Sequence, residues 1–239
     1  MSRVFLTAEW RNLILANYAV ERAVLEAYVP AGTQLDTFQG KPYVSLVAFQ
    51  FLKTRLYGVP VPFHTDFEEI NLRFYVRRFN GEEWRRGVVF LKEIVPKWAI
   101  ATVARLTYGE NYISYPTKAK VGVPAAPAAA WGVKYDWQMN NAWHSASAEI
   151  DGVSEVIACA TKGEFICENY WGYTRHPAAT LEYKVEHEPW RLWKPASFQL
   201  SCDFTGLVSP ELAAAVAGPP ASVFVADGGP VKVHEGRRI

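Results

Sequence analysis

Residues 66–95 read DFEEINLRFYVRRFNGEEWRRGVVFLKEIV, and their periodicity decides the fold class. From Glu69 to Arg77, the apolar residues Ile70, Leu72, Phe74 and Val76 share one face of an extended chain. Glu69, Asn71, Arg73, Tyr75 and Arg77 share the other, because successive side chains of a strand point to opposite sides. Asn80-Gly81 splits the stretch into two arms. Asn-Gly accepts the positive φ angles of a type I′ turn, so the stretch predicts a β-hairpin. Asp151-Gly152 predicts a second hairpin, between AWHSASAEI and VSEVIACATKGEFICE. Asn140-Asn141 is a weaker turn signal between WGVKYDWQM and AWHSASAEI. Hairpins in succession make an antiparallel meander, with neighbours in sequence adjacent in space.

Patterning elsewhere agrees. Trp131, Val133, Tyr135, Trp137 and Met139 alternate with Gly132, Lys134, Asp136 and Gln138, and LEYKVEH alternates likewise. PYVSLVAFQFL is nearly continuous apolar, as expected of a strand covered on both sides. Helices are few. VERAVLEAYV stops before Pro30, PKWAIATVARLTY starts with Pro96 in its first turn, and SPELAAAVAG has Ser209 as cap and Gly218 as stop. VGVPAAPAAAW is a Pro/Ala-rich loop flanked by strand patterns of one kind. No internal repeat is found. Residues 1–239 therefore form one mainly β domain, a size all-β barrels reach.

Half the residues are hydrophobic and 14% are aromatic, enough for a large core. The formal net charge of +1 gives no phosphate track and no attraction to an anionic membrane, so neither nucleic acid nor membrane is an expected partner. Arg77, Arg78, Arg85 and Arg86, with Glu82 and Glu83 between them, are best explained as a solvated hairpin end. Cys159, Cys167 and Cys202 form no CxxC pair, which fits buried thiols in a reducing compartment. The first residues lack an unbroken apolar segment, so no signal peptide is expected, and no apolar run is long enough to span a bilayer. The expected location is cytoplasmic.

Common catalytic motifs are absent: GxGxxG after a strand, GxxxxGK[ST], GxSxG and HExxH. The histidines show no ligand spacing with cysteines or carboxylates, so no metal and no cofactor are expected. The suggestive feature is the polar face Glu69, Asn71, Arg73. Outward, these are ordinary surface groups. Inside a barrel, a carboxylate, an amide and a guanidinium would face an enclosed space of low dielectric. Pattern alone favours the outward placement, since antiparallel sheets usually have a wet face.

Six blocks then carry a family resemblance: WRNLILANYAVERAVLEAYVPAG, LDTFQGKPYVSLVAFQF, FEEINLRFYV, VARLTYGENY, FICENYWGYTR and VEHEPW. In this order the chain resembles the YqjF-like proteins, the DUF2071 group, over nearly its whole length. That group is related to acetoacetate decarboxylase. The resemblance implies a strongly bent antiparallel β-barrel or cone with a central cavity and a few outer helices. It turns the Glu69 face inward. Acetoacetate decarboxylase uses a lysine that forms a Schiff base, and such an amine must be kept largely neutral. An arginine and a glutamate of that cavity match Arg11 and Glu69. Aligning the decarboxylase block on Arg105 places Tyr112 where the lysine belongs, and a phenol forms no Schiff base. Lys118 and Lys120 lie downstream of Pro116, and Lys92 and Lys97 flank a strand-to-helix junction. A slipped alignment would offer Lys118 or Lys120 as the amine, but all four are best explained as solvent-facing lysines.

Several residues keep two roles open. Arg105 either binds an anionic ligand or is a structural ion-pair partner. Tyr112 either donates to a ligand carbonyl or caps the barrel. Glu168 and Tyr170 fit the barrel rim, and His187 and Trp190 fit a structural corner before Pro189, with a catalytic His187 as the lesser alternative. The expectation is a barrel holding a small, partly apolar ligand with an anionic or carbonyl group. Arg11, with Arg73 or Arg105, would hold the charge, and Glu69 would accept a proton. If the protein is an enzyme, lyase or isomerase chemistry on a keto or enol substrate, without a Schiff base, is expected. The alternatives are a non-catalytic binding or sensor module and a barrel filled by its own aromatics. The state of assembly, homo-oligomer or not, is open.

Overall fold

The computed structural model describes residues 2–96, 111–122, 125–126, 129–176 and 179–239. Among them the chain begins β1 (Val4–Ala19), α1 (Arg22–Glu26), β2 (Gln34–Leu35), β3 (Tyr43–Leu56), β4 (Val59–Pro60), β5 (Phe67–Phe79) and β6 (Trp84–Val95). It continues with β7 (Tyr112–Ser114), β8 (Thr117–Val121), β9 (Trp131–Met139), β10 (Ala142–Ile150), β11 (Glu155–Val156) and α2 (Lys162–Cys167). Then come β12 (Trp171–His176), β13 (Ala179–His187), β14 (Arg191–Trp193), β15 (Ser197–Ser201), α3 (Pro210–Val216), β16 (Ser222–His234) and β17 (Arg237–Arg238). The helix expected over PKWAIATVARLTY falls largely outside the described residues.

Seven strands close into a barrel in the order β16-β1-β3-β5-β6-β12-β13, with β13 pairing back onto β16. Its pairings are antiparallel except one: β12 runs parallel to β6. The chain leaves the barrel after β6 and returns in the same direction, so the closing seam cannot be a hairpin. At this seam Gly87 lies opposite Trp171. A Cβ on Gly87 would sit 2.3 Å from the Trp171 carbonyl oxygen, so only glycine allows the two backbones to meet.

A second sheet, β15-β10-β9-β8, lies outside the barrel. Its inner face carries Val133, Tyr135, Trp137 and Met139, which join one core with Ile70, Leu72, Phe74 and Val76 of β5. This packing fixes the orientation of β5. Its apolar face looks outward into the second sheet, so its polar face must look into the barrel. Continuous apolar sequence in β3 follows from the same sandwiching, since its residues divide between the outer core and the barrel interior.

The turns redistribute the sequence signals. Asn80-Gly81 does join β5 to β6, but within the longer loop Asn80–Glu83, whose Asn80 side chain accepts from the Glu82 and Glu83 amides. Asn140 and Asn141, the weaker signal, form the tight turn with φ of 50° and 60°, as a type I′ turn requires. Asp151-Gly152 forms no hairpin. β10 already pairs with β9 and β15, so the chain beyond the turn crosses to pair β11 with β14. The region expected as a strand there contains α2 instead. Thr161 caps it by accepting from the Glu164 amide, and the Glu164 carboxylate accepts from Ala160 N–H. The T-x-x-E pattern, with Glu164 reaching back one residue past the N-cap, was the available signal.

The arginines at the β5–β6 hairpin also depart from the solvated arrangement. Arg78, Arg85 and Arg237 converge on the fully buried Glu182 carboxylate at 3.0, 3.1 and 2.6 Å. Arg86 pairs with Asp36 at 2.9 Å. A buried carboxylate needs such partners to remain charged, and here they tie the hairpin to β13.

Replacing Gly87 by alanine is expected to destabilise the fold by roughly 1–3 kcal/mol through overpacking at the seam. Denaturant unfolding measures this, with Gly218→Ala, where a Cβ meets nothing within 4 Å, as the neutral reference.

Candidate functional site

The barrel encloses a cavity of about 180 Å³. Strand registers stack much of its lining in rungs. Trp10, Phe51 and Phe67 form one, then Phe49 and Glu69, then Val47, Asn71, Glu93 and Tyr112, then Ser45, Arg73 and Phe90. The cavity thus grades from aromatic to charged along the strands. Beside the Arg73 rung lies a buried hydrogen-bonded cluster. Ser45 Oγ lies 2.6 Å from Asn17 Oδ1 and 2.7 Å from Tyr75 Oη. Asn17 Oδ1 can only accept, so Ser45 spends its single proton there and Tyr75 donates to Ser45. All three are essentially inaccessible to solvent.

Helix α2 closes another side. It packs Phe165 against Phe38, Tyr43 and Tyr75. Its last carbonyls collect donors: Arg73 Nη2 reaches Ile166 O at 3.3 Å, and Asn169 Nδ2 reaches Phe165 O at 2.9 Å. Cations and N–H donors are favoured at a helix C-terminus, where carbonyls lack intrahelical partners. Burial pushes the Cys167 thiol up to about 12, so this cavity cysteine stays protonated and is no nucleophile.

Glu69, Asn71 and Arg73 are brought together inside, all more than nine-tenths buried. Asn71 Nδ2 donates to Glu69 Oε1 at 2.9 Å, and Tyr112 Oη donates to Glu69 Oε2 at 3.3 Å. Tyr112 therefore stands beside Glu69 in the cavity. Arg73 makes no ion pair among the described residues. Among the described residues its Nε has no partner, nor do the lining N–H groups of Trp10 and Trp190 or the acceptor Asn71 Oδ1. An unmet buried polar group costs about 1–3 kcal/mol. The cavity wall thus carries several N–H donors that the described residues do not satisfy.

Arg11 does not reach this site. It pairs with Glu9 at 2.9 Å, its side chain 37% exposed, and Lys53 joins the same carboxylate. The cause is a bulge at Asn12, which adopts φ of 57°. Before it Leu6 and Trp10 line the cavity; after it Leu13 does, so the inward parity switches just past Arg11. A register shift in β6 hides Glu93 in the same way: Val88 and Phe90 face inward, then Glu93, which is 1% exposed. Asn169 and His187 also line the cavity. His187 had a signal, because LEYKVEH places it on the face of Tyr183 and Val185.

Among the described residues no lysine lines the cavity. Lys118 and Lys120 are exposed on β8 of the outer sheet, with the Lys118 ammonium over the Trp143 ring at 4.5 Å. Lys92 lies opposite Leu72, on the face turned from the cavity. Arg105 and Lys97 lie outside the described residues. No group of three His, Cys, Asp or Glu among the described residues is placed to share a metal ion. No helix among them is long and apolar enough to cross a membrane.

Residues 7–230 match the family model DUF2071, described as an uncharacterized conserved protein (COG2071). The chain belongs to this family. Uncharacterized protein YqjF of Bacillus subtilis (strain 168) is 35% identical over 68 residues, 28% of either chain. Acetoacetate decarboxylase from Legionella pneumophila shares the fold at a TM-score of 0.68 and 12% identity, covering 98% of this chain and 87% of that one. Enduracididine biosynthesis enzyme MppR complexed with pyruvate gives 0.66 and 12%, covering 100% and 91%. This member of DUF2071 therefore has the acetoacetate decarboxylase-like barrel.

Ser45→Ala in this protein is expected to cost about 1–3 kcal/mol, because it orphans the buried Tyr75 hydroxyl and Asn17 Oδ1 together. Chemical denaturation should show this loss, and the double variant Ser45→Ala/Tyr75→Phe should recover part of it.

Proposed function

We propose that the barrel binds a small carboxylate with an apolar body, anchored by Arg73. The observation that carries this is the buried Arg73 guanidinium, which lines the cavity and makes no ion pair among the described residues. A buried charge held only by neutral partners is costly, and an arriving anion offsets that cost. The neighbouring N–H groups of Trp10 and Trp190 add donors for oxygen atoms. Phe49, Phe51 and Phe67 supply the apolar wall. The volume sets the size, since a dry cavity of about 150 Å³ accommodates benzene. A compact metabolite fits this volume. MppR complexed with pyruvate is an instance of a protein of this fold taking a small carboxylate. No amine lines the cavity among the described residues, and this reading calls for no Schiff base.

Calorimetry with isocaproate and its uncharged amide tests the anchor. The wild type should prefer the carboxylate. Arg73→Gln should lower carboxylate affinity at least tenfold, as expected when a charge-assisted hydrogen bond of about 1.5–3 kcal/mol is lost, and should erase the preference. Arg73→Lys should fall between, keeping charge but losing the planar fork. Equal carboxylate affinity in wild type and Arg73→Gln would remove Arg73 from the site.

A further inference from the structure

His187 closes β13, and its ring borders the cavity. It is held in a sandwich, with Trp190 at 4.5 Å and 24° on one contact and Tyr170 at 4.9 Å and 29° on another. Nδ1 lies 2.9 Å from the Glu188 carbonyl oxygen. A carbonyl only accepts, so Nδ1 carries the proton and Nε2 is left with the lone pair. Stacking fixes the ring plane and the backbone bond fixes the tautomer. These are the two conditions a positioned base needs.

From this geometry we infer that His187 Nε2 is the proton acceptor of the cavity, acting on a carboxylate ligand that bears a carbonyl with an acidic C–H beside it. The inference rests on the carboxylate binding proposed above. Glu69 is the less suited of the two, because both its oxygens already accept hydrogen bonds, from Asn71 and Tyr112. The step balances without a co-reactant. Nε2 takes the proton, the C–H electron pair becomes the carbon–carbon π bond, and the carbonyl pair moves onto oxygen as an enolate. The imidazolium then returns the proton to carbon or to that oxygen. The unmet N–H donors of Arg73, Trp10 and Trp190 suit the developing oxyanion.

The charge environment favours the neutral ring. Burial is the main cause that lowers the His187 pKa, and Arg73 on β5 adds to it. Glu168, from the link after α2, and the Glu188 carbonyl act the other way. Tyr170 faces the ring as a neutral phenol, since burial and its bond to Glu168 raise its pKa. Glu186 is the remaining charged neighbour on β13 itself and pairs with Lys184 and His234.

The probe is α-ketoisocaproate in deuterated water, with exchange of its β-methylene protons followed by proton NMR. The wild type should bind it and catalyse exchange. His187→Asn should slow exchange by at least about a hundredfold, the scale of general-base catalysis, while affinity stays within about threefold. The wild-type rate should rise with pH through one ionisation below the ordinary histidine value of about 6.5 and then level off. That profile holds the test open if the variant fails to fold. Binding without exchange in the wild type, undiminished exchange in a folded His187→Asn, or a profile lacking that ionisation overturns the assignment while leaving carboxylate binding intact. Absence of binding for both α-ketoisocaproate and isocaproate overturns the two proposals together.

Discussion

Everything in this barrel follows from the burial of the outer face of β5. A sheet with one covered face normally leaves the other to water. Here the covered face is the outside, because Val133, Tyr135, Trp137 and Met139 of the second sheet lie over Ile70, Leu72, Phe74 and Val76. The alternation of a strand is strict, so Glu69, Asn71 and Arg73 have nowhere to go but inward. A polar interior is thus the geometric complement of an apolar coat. Rungs of aromatic residues and a buried hydrogen-bonded cluster beside the Arg73 rung turn those three groups into one wall of a chamber.

The coat also explains what the sequence could and could not reveal. Alternation assigned the two faces of β5 correctly, and that of Trp131–Met139 too. It did not say which face was inside, since periodicity contains no information about a second layer. Resemblance to a closed barrel supplied that sign. Where alternation is interrupted, it no longer says which residues face inward, and Arg11, matched through the resemblance, sits at such a point. The left-handed Asn12 shifts the inward positions from even to odd, so Arg11, next to it, lands on the surface with Glu9 and Lys53. The register shift in β6 concealed Glu93 for the same reason. Bulges are single-residue events, and nothing in the spacing of apolar residues around them was strong enough to announce one.

Turn chemistry was informative about place more than partner. Asn80-Gly81, Asn140-Asn141 and Asp151-Gly152 all mark reversals or corners. Which of them joins paired strands depends on whether the strand before the turn still has an open edge, and β10 does not. A capping pattern at Thr161 and Glu164 was legible, yet β-like flanking sequence masked the short helix it begins. That helix matters more than its length suggests, because its final carbonyls and the cavity share Arg73.

The bond between Arg73 and the Ile166 carbonyl joins residues 93 apart in the chain. Contacts so distant in sequence form late, after local hairpins have reduced the entropy of closing the intervening loop. The β5–β6 hairpin can assemble early, with Arg73 still hydrated on an open sheet. Its desolvation coincides with the docking of α2 and the joining of β12 to β6. The chamber therefore exists only where α2 is docked and β12 is joined to β6, so its integrity depends on the closing of the barrel.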